Sequence, residues 1–485
     1  MADYDFDIGI IGAGAAGLTV AAGAAQAGAK TLIVEKEGRL GGDCLYYGCI
    51  PSKTLIRTAH VYHLMKKAKN FGLPEISVDP VDFSKVAERI QSVIGAIQKH
   101  DSEERFCRLG ARVEYGEPRF TDEHSVEMNG KIYSAKKWVI STGSSPSVPP
   151  IEGLDRTQYI TNREVYSLER LPKSMIILGG GPVGIEFAQA FTRLGTKVCV
   201  IERLNQILVN DDADMTDILM NVLTAEGVEF YLNSAVMSVK DSGDAKEVSL
   251  KKGDEIQTIK AEAILVATGR KANLSVLGLE KIGIEMDRKG LKLDSKLRTT
   301  QKHIFGAGDV TGTYQFTHAA GYEGGIVVSN AIFHFPRRVD YTYLPWVTYT
   351  DPELASIGMN ERMAKDAGMQ YSIWEEEFIN NDRSLAEGET AGKIKMLLNE
   401  KEKPIGIQIL GPQAGDLLNE WVAIMNGKVK LTTTASSIHP YPTLGEISKS
   451  VAGKYLSAKI FSDTIKKGLK FFFHFKGRAC EMPPD

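Results

Sequence analysis

The stretch GGDCLYYGCIPSK, residues 41–53, holds the side chains best suited to chemistry. Cys44 and Cys49 are five positions apart. Five residues of regular helix rise about 7.5 Å, beyond the roughly 4.4–6.8 Å Cα separation of a disulfide, so a bridge between them needs a distorted turn. Gly48 permits one, and Pro51 suits the first turn of a helix continuing through TLIRTAHVYHLMKKAK. That places Cys49 at a helix N-terminus, where the partial positive charge favours thiolate. The alternatives are two buried thiols without chemistry or part of a metal set. No further Cys or His cluster stands nearby in sequence to complete a tetrahedral site, so a redox pair is the preferred reading.

Two glycine patterns flank this region in the chain. DFDIGIIGAGAAGLTVAAGAAQAGAKTLIVEKE reads as strand, Gly-rich turn, Ala-rich helix and second strand, a βαβ unit. Gly12 permits the tight turn, Gly14 lets the backbone approach a pyrophosphate, and Gly17 lets helix and strand pack closely. Glu35, 23 residues after Gly12, is placed to accept from a ribose hydroxyl. The pattern recurs with Gly179, Gly181, Gly184 and, again 23 residues on, Glu202. One fingerprint alone is a weak signal; two with matching acids read as two dinucleotide sites rather than two packing turns. A nicotinamide delivers hydride, whereas a disulfide opens by thiolate exchange or its electronic equivalent. A flavin is the natural intermediary, so one site is expected to hold FAD.

These elements must be carried by a chain of 485 residues, long enough for about three domains. The charged fraction is 25% and the net charge −3, which gives no electrostatic reason to expect nucleic acid. Residues Ile8 to Ala29 carry no charge but are rich in Ala and Gly, and the start MADYDFD is acidic, so neither a membrane span nor a signal peptide is read. Five Cys make no disulfide framework, and the expected compartment is the reducing cytoplasm. A structural helix is expected from about Phe83 to Leu109, with Val86, Ile90, Val93, Ile94 and Ile97 at helical spacing. KKWVISTG and AEAILVATGRKAN read as closing strands, and HIFGAGDVTG as a strand ending in a Gly-rich turn that presents Asp309. The Pro-rich SSPSVPPIEG marks a crossing near residue 150. From about Trp346, GKIKMLLNE and PIGIQILG suggest an antiparallel sheet with helices. Lys449 to Arg478 carries seven Lys and one Arg against Asp463. There Leu456, Ile460, Phe461, Ile465, Leu469, Phe472 and Phe473 suggest an apolar helical face.

Taken together, these motifs resemble the flavoprotein disulfide reductases, the class that includes dihydrolipoamide dehydrogenase, glutathione reductase and mercuric reductase. The resemblance covers about residues 4 to 446. It implies an α/β fold with two Rossmann-like dinucleotide-binding domains and a C-terminal α+β dimerisation domain: FAD-binding over 1–150 and 273–345, NAD(P)H-binding over 151–272, dimerisation over 346–446, and a basic amphipathic extension over 447–485. By the same resemblance Gly12, Gly14, Gly17, Glu35, Gly42, Thr142, Gly143 and Asp309 would line FAD, and Gly179, Gly181, Gly184, Glu202 and Gly269, in an A-T-G motif with Thr268, would line NAD. Cys44 and Cys49 would form the redox disulfide, Cys49 facing the flavin and Cys44 exchanging with substrate. Lys53 would reach the flavin and pair with Glu186. A homodimer acting on a small thiol, disulfide or lipoyl carrier is implied. The tail could meet a membrane surface or an acidic partner, or pack on the other subunit.

Within the class, the PSK of residues 51–53 resembles the lipoamide and mercuric branches. Glu202 disfavours a 2′-phosphate, favouring NADH over NADPH, with Arg203 beside it as the counterweight. The class's base motif is H-x-H-P-T-x-S-E; here residues 439–446 read HPYPTLGE, retaining Glu446 but placing Tyr441 at the His position. A phenol with a pKa near 10 is a poor base at neutral pH, and His439 is the candidate substitute. Mercuric reductases also resemble this chain in that Tyr, but they normally carry adjacent C-terminal Cys residues. Here Cys480 stands alone and no further metal-binding module is read, so mercury is not the expected physiological substrate. Reduction of a soft metal ion or persulfide, or passage of electrons to a quinone at a membrane, are the alternatives. Cys107 and Cys199 read as bystanders.

Overall fold

Short strands such as Ile8–Ile11 and Ser174–Leu178, each followed by a Gly-rich turn, organise the N-terminal two thirds of the computed structural model, which describes residues 3–477, 479 and 480. Arg478 of the basic tail lies outside the described residues. The chain divides into two compact units, one reaching to Val209 and resuming from Leu223 to Tyr341, the other made of Asn210–Val222 and the chain from Thr342 onward.

In the first unit, a five-stranded parallel sheet runs in the order Ile304–Gly306, Trp138–Ile140, Ile8–Ile11, Thr31–Glu35, Ala111–Tyr115. Its central strand is buried throughout, as expected of a parallel sheet covered on both faces. The uncharged stretch from Ile8 is thus a strand and then a helix, Ala15–Gln26, packed against the helix Thr317–Ala331. The small residues are needed there, since a Cβ on Gly324 would lie 2.9 Å from Thr19 and one on Gly23 2.9 Å from Val328. A second parallel sheet has the order Glu229–Tyr231, Lys197–Ile201, Ser174–Leu178, Ala263–Val266. The segments linking the two sheets pair with each other, Ser144–Pro146 antiparallel to Arg270–Ala272.

The expected single helix from Phe83 to Leu109 is two helices, Phe83–Gln98 and Glu103–Leu109. Ser102 causes the break: its backbone is extended and its hydroxyl accepts from the Arg105 amide, capping the second helix. The tail is divided in the same way, into Glu446–Ile460 and Asp463–Phe473.

The second unit is an antiparallel sheet in the order Pro345–Thr348, Glu353–Gly358, Pro404–Gly411, Lys393–Asn399, Tyr371–Glu377. Helices Ala414–Gly427 and Glu446–Ile460 complete its core, where Trp421 donates to Ser448 at 3.0 Å. The fold is therefore α/β, with two Rossmann-like domains and a C-terminal α+β domain. Among the described residues, no helix is long and apolar enough to cross a membrane.

Within the second unit Lys395 is 1% exposed, and its ammonium bonds Asp212 at 3.1 Å, Asp214 at 2.5 Å and Glu361 at 2.9 Å. Burial opposes ionisation of Asp214 and Glu361, but the lysine hydrogen bonds outweigh it and hold both below the ordinary carboxylate range. Lys393 still pairs with Asp214 at 2.7 Å, so removing Lys395 weighs most on the buried Asp212, and Lys395→Ala should destabilise this unit by about 3 kcal/mol at neutral pH. Carboxylates with depressed folded pKa values contribute stability above their unfolded pKa and lose it as pH falls through the folded one. The gap between wild type and variant should therefore narrow in acid, below about pH 4. Urea unfolding followed by tryptophan fluorescence reads this directly, because Trp346, Trp374 and Trp421 are in this unit; equal stabilities at pH 7 would refute it.

Candidate active site

Two glycine fingerprints set the outer geometry of the site, and both are built alike. Gly12 and Gly179 hold φ of +99° and +111°, and a Cβ on either would strike the carbonyl of the facing strand, 2.5 Å from the Ser141 and Ala267 oxygens respectively. Cβ atoms on Gly17 and Gly184 would lie 1.9 and 2.1 Å from the carbonyl oxygens of Gly12 and Gly179, so these helices can pack only without side chains. The middle glycines differ in kind. A Cβ on Gly181 meets nothing within 4 Å, and one on Gly14 meets only the Gly42 Cα at 3.9 Å. Both middle glycines cap helices, Ala15–Gln26 and Pro182–Leu194, without a side-chain acceptor for the first amides. Open space over uncapped helix N-termini fits two pyrophosphates.

The two acids repeat each other's contacts. Glu35 accepts from the amides of Ala13 and Glu37, both at 2.8 Å; Glu202 accepts from those of Gly180 at 2.7 Å and Leu204 at 2.9 Å. Each carboxylate fixes its glycine loop and retains lone pairs for a ribose hydroxyl. Gly42 and Gly143 both have positive φ, and a Cβ on Gly42 would lie 2.6 Å from the Gly14 Cα. The Thr142 hydroxyl donates to the Asn273 carbonyl, and Gly269 has φ +121°.

Asp309 is half-buried, accepts from the Ser144 hydroxyl, and has its carboxyl pushed up by burial. Arg270 donates to Ser144 Oγ and to Asp43 Oδ2, each at 2.7 Å, tying Asp309's partner to the thiol loop. The preceding Gly308 amide donates at 2.6 Å to Glu323, which is fully buried and also accepts from Tyr341. Burial pushes the Glu323 carboxyl up to about 7. Arg270 and Glu323 were not singled out in the sequence; Arg270 follows the A-T-G motif directly, whereas Glu323 gives no local signal.

Between these loops, Cys49 opens the helix Cys49–Lys66, with Gly48 as its cap. Space at Gly48 is tight, since a Cβ would lie 3.1 Å from both the Asp43 carbonyl oxygen and the Cys44 Cα. Cys44 and Cys49 are thiols hydrogen-bonded to each other. The pair is strongly asymmetric. The bond from Cys44 brings Cys49 down to about 6, against burial and with help from Thr317 and the Lys53 ammonium. The same contact with Cys49, and then burial, raises Cys44. Thr317 Oγ1, 3.3 Å from Cys49 Sγ, begins the helix Thr317–Ala331 and is a further residue that sequence spacing did not reveal. Lys53 pairs with Glu186 at 2.7 Å, joining the thiol helix to the helix of the second fingerprint.

In the second unit, His439 Nε2 lies 3.1 Å from Glu420, and the Tyr441 hydroxyl donates at 2.8 Å to Asp382. Asp382 raises the phenol further above its ordinary range. Glu446 is half-buried in the first turn of the helix Glu446–Ile460. The hydrogen-bonded acids of His439 and Tyr441 are thus Glu420 and Asp382, where the sequence pattern pointed to Glu446. Of the remaining thiols, Cys199 is pushed up to about 12 by burial, while Cys107 and Cys480 are exposed.

The pattern of the pyridine nucleotide-disulphide oxidoreductases matches residues 6–324, and that of their dimerisation domain residues 344–452. The chain belongs to this family and is an NAD(P)H-dependent flavoprotein disulfide oxidoreductase. It is 36% identical over 460 residues to a dihydrolipoyl dehydrogenase of Geobacillus stearothermophilus, covering 93% of this chain and 96% of that one. It is 31% identical over 467 residues to a mercuric reductase of Staphylococcus aureus, covering 96% and 84% respectively. Among solved structures, the HOCl-induced flavoprotein disulfide reductase RclA from Escherichia coli superposes with a TM-score of 0.83 at 26% identity, over 92% of this chain and 99% of that one.

Alkylation of the reduced protein by iodoacetamide should modify Cys49 ahead of Cys44, with a midpoint near pH 6. Thr317→Val and Lys53→Met should each move that midpoint up toward the ordinary thiol range near 8.5. Peptide mapping across pH checks both; preferential labelling of Cys44 would reverse the assignment of the two thiols.

Proposed function

We propose that the chain passes an electron pair between a nicotinamide and a substrate dithiol or disulfide, in the manner of a dihydrolipoamide dehydrogenase. The first fingerprint would hold FAD and the second NADH. The observation that carries the reading is the polarised thiol pair at the head of a helix tied by Lys53–Glu186 to the second fingerprint's helix. When bound, FAD would carry the electron pair between the nicotinamide and the thiols, toward NAD+ when the substrate is a dithiol and from NADH when it is a disulfide. Cys49, the more acidic thiol, is suited to face the flavin as thiolate, and Cys44 to exchange with substrate. For a dithiol substrate, its thiolate attacks Cys44 of the oxidised pair and Cys49 leaves as thiolate. The second substrate thiol then displaces Cys44 and closes the product disulfide. The family's dimerisation domain supports a homodimer, in which HPYPTLGE would complete the partner's site.

NADH is preferred because Glu202 would repel a 2′-phosphate. With lipoamide as the second substrate, kcat/KM for NADH should exceed that for NADPH by about tenfold or more, the order expected from like-charge repulsion in a desolvated pocket. Equal values would show that Arg203 governs the pocket.

Tyr441 favours a second reading, reduction of a soft metal ion or persulfide, which requires less proton abstraction from the acceptor. The phenol is bonded to Asp382 and is no base near pH 7. Dihydrolipoamide oxidation should therefore be slow at neutral pH and rise in alkali, as the substrate thiol ionises. Tyr441→His should raise the rate near pH 7. A wild-type rate already high at pH 7 and abolished by His439→Ala would make His439 the base and favour the lipoyl reading. An acceptor screen with lipoamide, oxidised glutathione, mercuric ion and a quinone decides among the substrate classes.

A further inference from the structure

The chain past the family's dimerisation pattern, which ends at residue 452, carries more apolar surface than its own fold uses. The helix Glu446–Ile460 buries Ile447, Val451, Ala452 and Tyr455, all in the core of the second unit. The following helix, Asp463–Phe473, buries nothing. Phe471 and Phe472 are each 74% exposed, Phe473 64% and Phe475 56%, with Phe461 and Ile465 exposed before them. At about 100° per residue, Phe472, Ile465, Leu469 and Phe473 fall within an arc of roughly 100°, with Phe471 outside it. Lys466, Lys470 and Lys467 occupy the neighbouring arc in that order.

We propose that this helix and the segment after it form an interfacial docking element that seats the protein on an anionic lipid surface. Four observations carry the assignment. The helix has an aromatic and aliphatic face bordered on one side by lysines, an amphipathic arrangement suited to lying in the plane of a membrane interface. Lys466, Lys467, Lys470 and Lys476 against Asp463 concentrate positive charge in a chain whose total is −3, so attraction to an anionic surface is local to this element. Eleven residues span only about 16 Å, too short to cross a bilayer but long enough to lie along one. The apolar surface also lies beyond residue 452, where the match to the dimerisation domain ends. Lysines alone would suit an acidic protein, but four exposed phenylalanines within five residues need an apolar phase.

The proposal is independent of the electron acceptor. Its test is co-sedimentation of the full-length holoenzyme with vesicles of phosphatidylcholine containing about one third phosphatidylglycerol, and with vesicles of phosphatidylcholine alone. The wild type should pellet with the anionic vesicles and remain in solution with the neutral ones. Its partition coefficient should fall at least about tenfold when salt is raised to about 1 M. Phe472→Ser with Phe473→Ser should abolish pelleting. Lys466→Gln, Lys467→Gln and Lys470→Gln should each weaken it about fivefold. Unchanged flavin content and NADH oxidation with an artificial acceptor show that the variants fold. Wild type remaining in solution with anionic vesicles overturns the proposal, as does an undiminished pellet of the phenylalanine variant. If that variant instead loses its dimer mass while the wild type ignores vesicles, the face is a contact between copies of this chain.

Discussion

The ion pair between Lys53 and Glu186 is the contact on which the rest of the site depends. It crosses from the helix that begins at Cys49 to the helix that begins beside Gly181, so one 2.7 Å interaction sets the thiols against the second nucleotide fold. Glu186 is nearly fully buried and Lys53 about one third exposed. Removing Lys53 would take the ammonium from the buried Glu186, in a setting where loss of a countercharge is costly. The same two helices are tied further along, where the Lys66 ammonium donates to the Arg193 carbonyl and Arg193 forks onto Glu226. The thiol helix is therefore fixed at both ends, and its N-terminal dipole is aimed by structure that belongs to the other fold.

What could be read from the sequence follows from how local each constraint is. The fingerprints were legible because a positive φ or a Cβ clash constrains one residue type at one position, as at Gly12, Gly17, Gly179 and Gly184. The central parallel strands were legible because both their faces are covered and their residues are apolar, as in Ile8–Ile11 and Ala263–Val266. Thr317 was not, because its partner Cys49 is 268 residues away. Lys395 was hidden for a related reason. In KIKMLLN a lysine reads as a solvent-facing position, yet it is buried because Asp212, Asp214 and Glu361 arrive from two distant segments to neutralise it. The break at Ser102 was missed because the apolar periodicity that marks the helix lies wholly before it, from Val86 to Ile97, while a single hydroxyl supplied the cap.

HPYPTLGE shows how a motif can be retained in outline while its hydrogen bonds change. Glu446 is kept, but Tyr441 bonds Asp382 and His439 bonds Glu420, acids that a linear motif does not include. A phenol whose proton is given to a carboxylate, and whose pKa is raised by it, stays un-ionised at neutral pH and does not take a proton from a thiol.

Two cysteines with the same intrinsic chemistry become a donor and an acceptor because the backbone holds them in unlike settings. Cys49 is at the helix N-terminus, receives hydrogen bonds and faces the Lys53 ammonium; Cys44 precedes the turn and has no such cation. The turn at Gly48 is tight, a Cβ there lying 3.1 Å from the Cys44 Cα. Cys49 ionisation therefore depends on two elements distant in sequence: the hydroxyl at the start of the Thr317 helix, and Glu186, which holds the nearby Lys53 in place. Glu186 opposes the thiolate by its charge while anchoring the cation that favours it, so its net effect is to keep Lys53 near Cys49. Losing the anchor would free the lysine to move into solvent, and the thiol would be expected to rise toward its ordinary range even though a nearby negative charge had been removed.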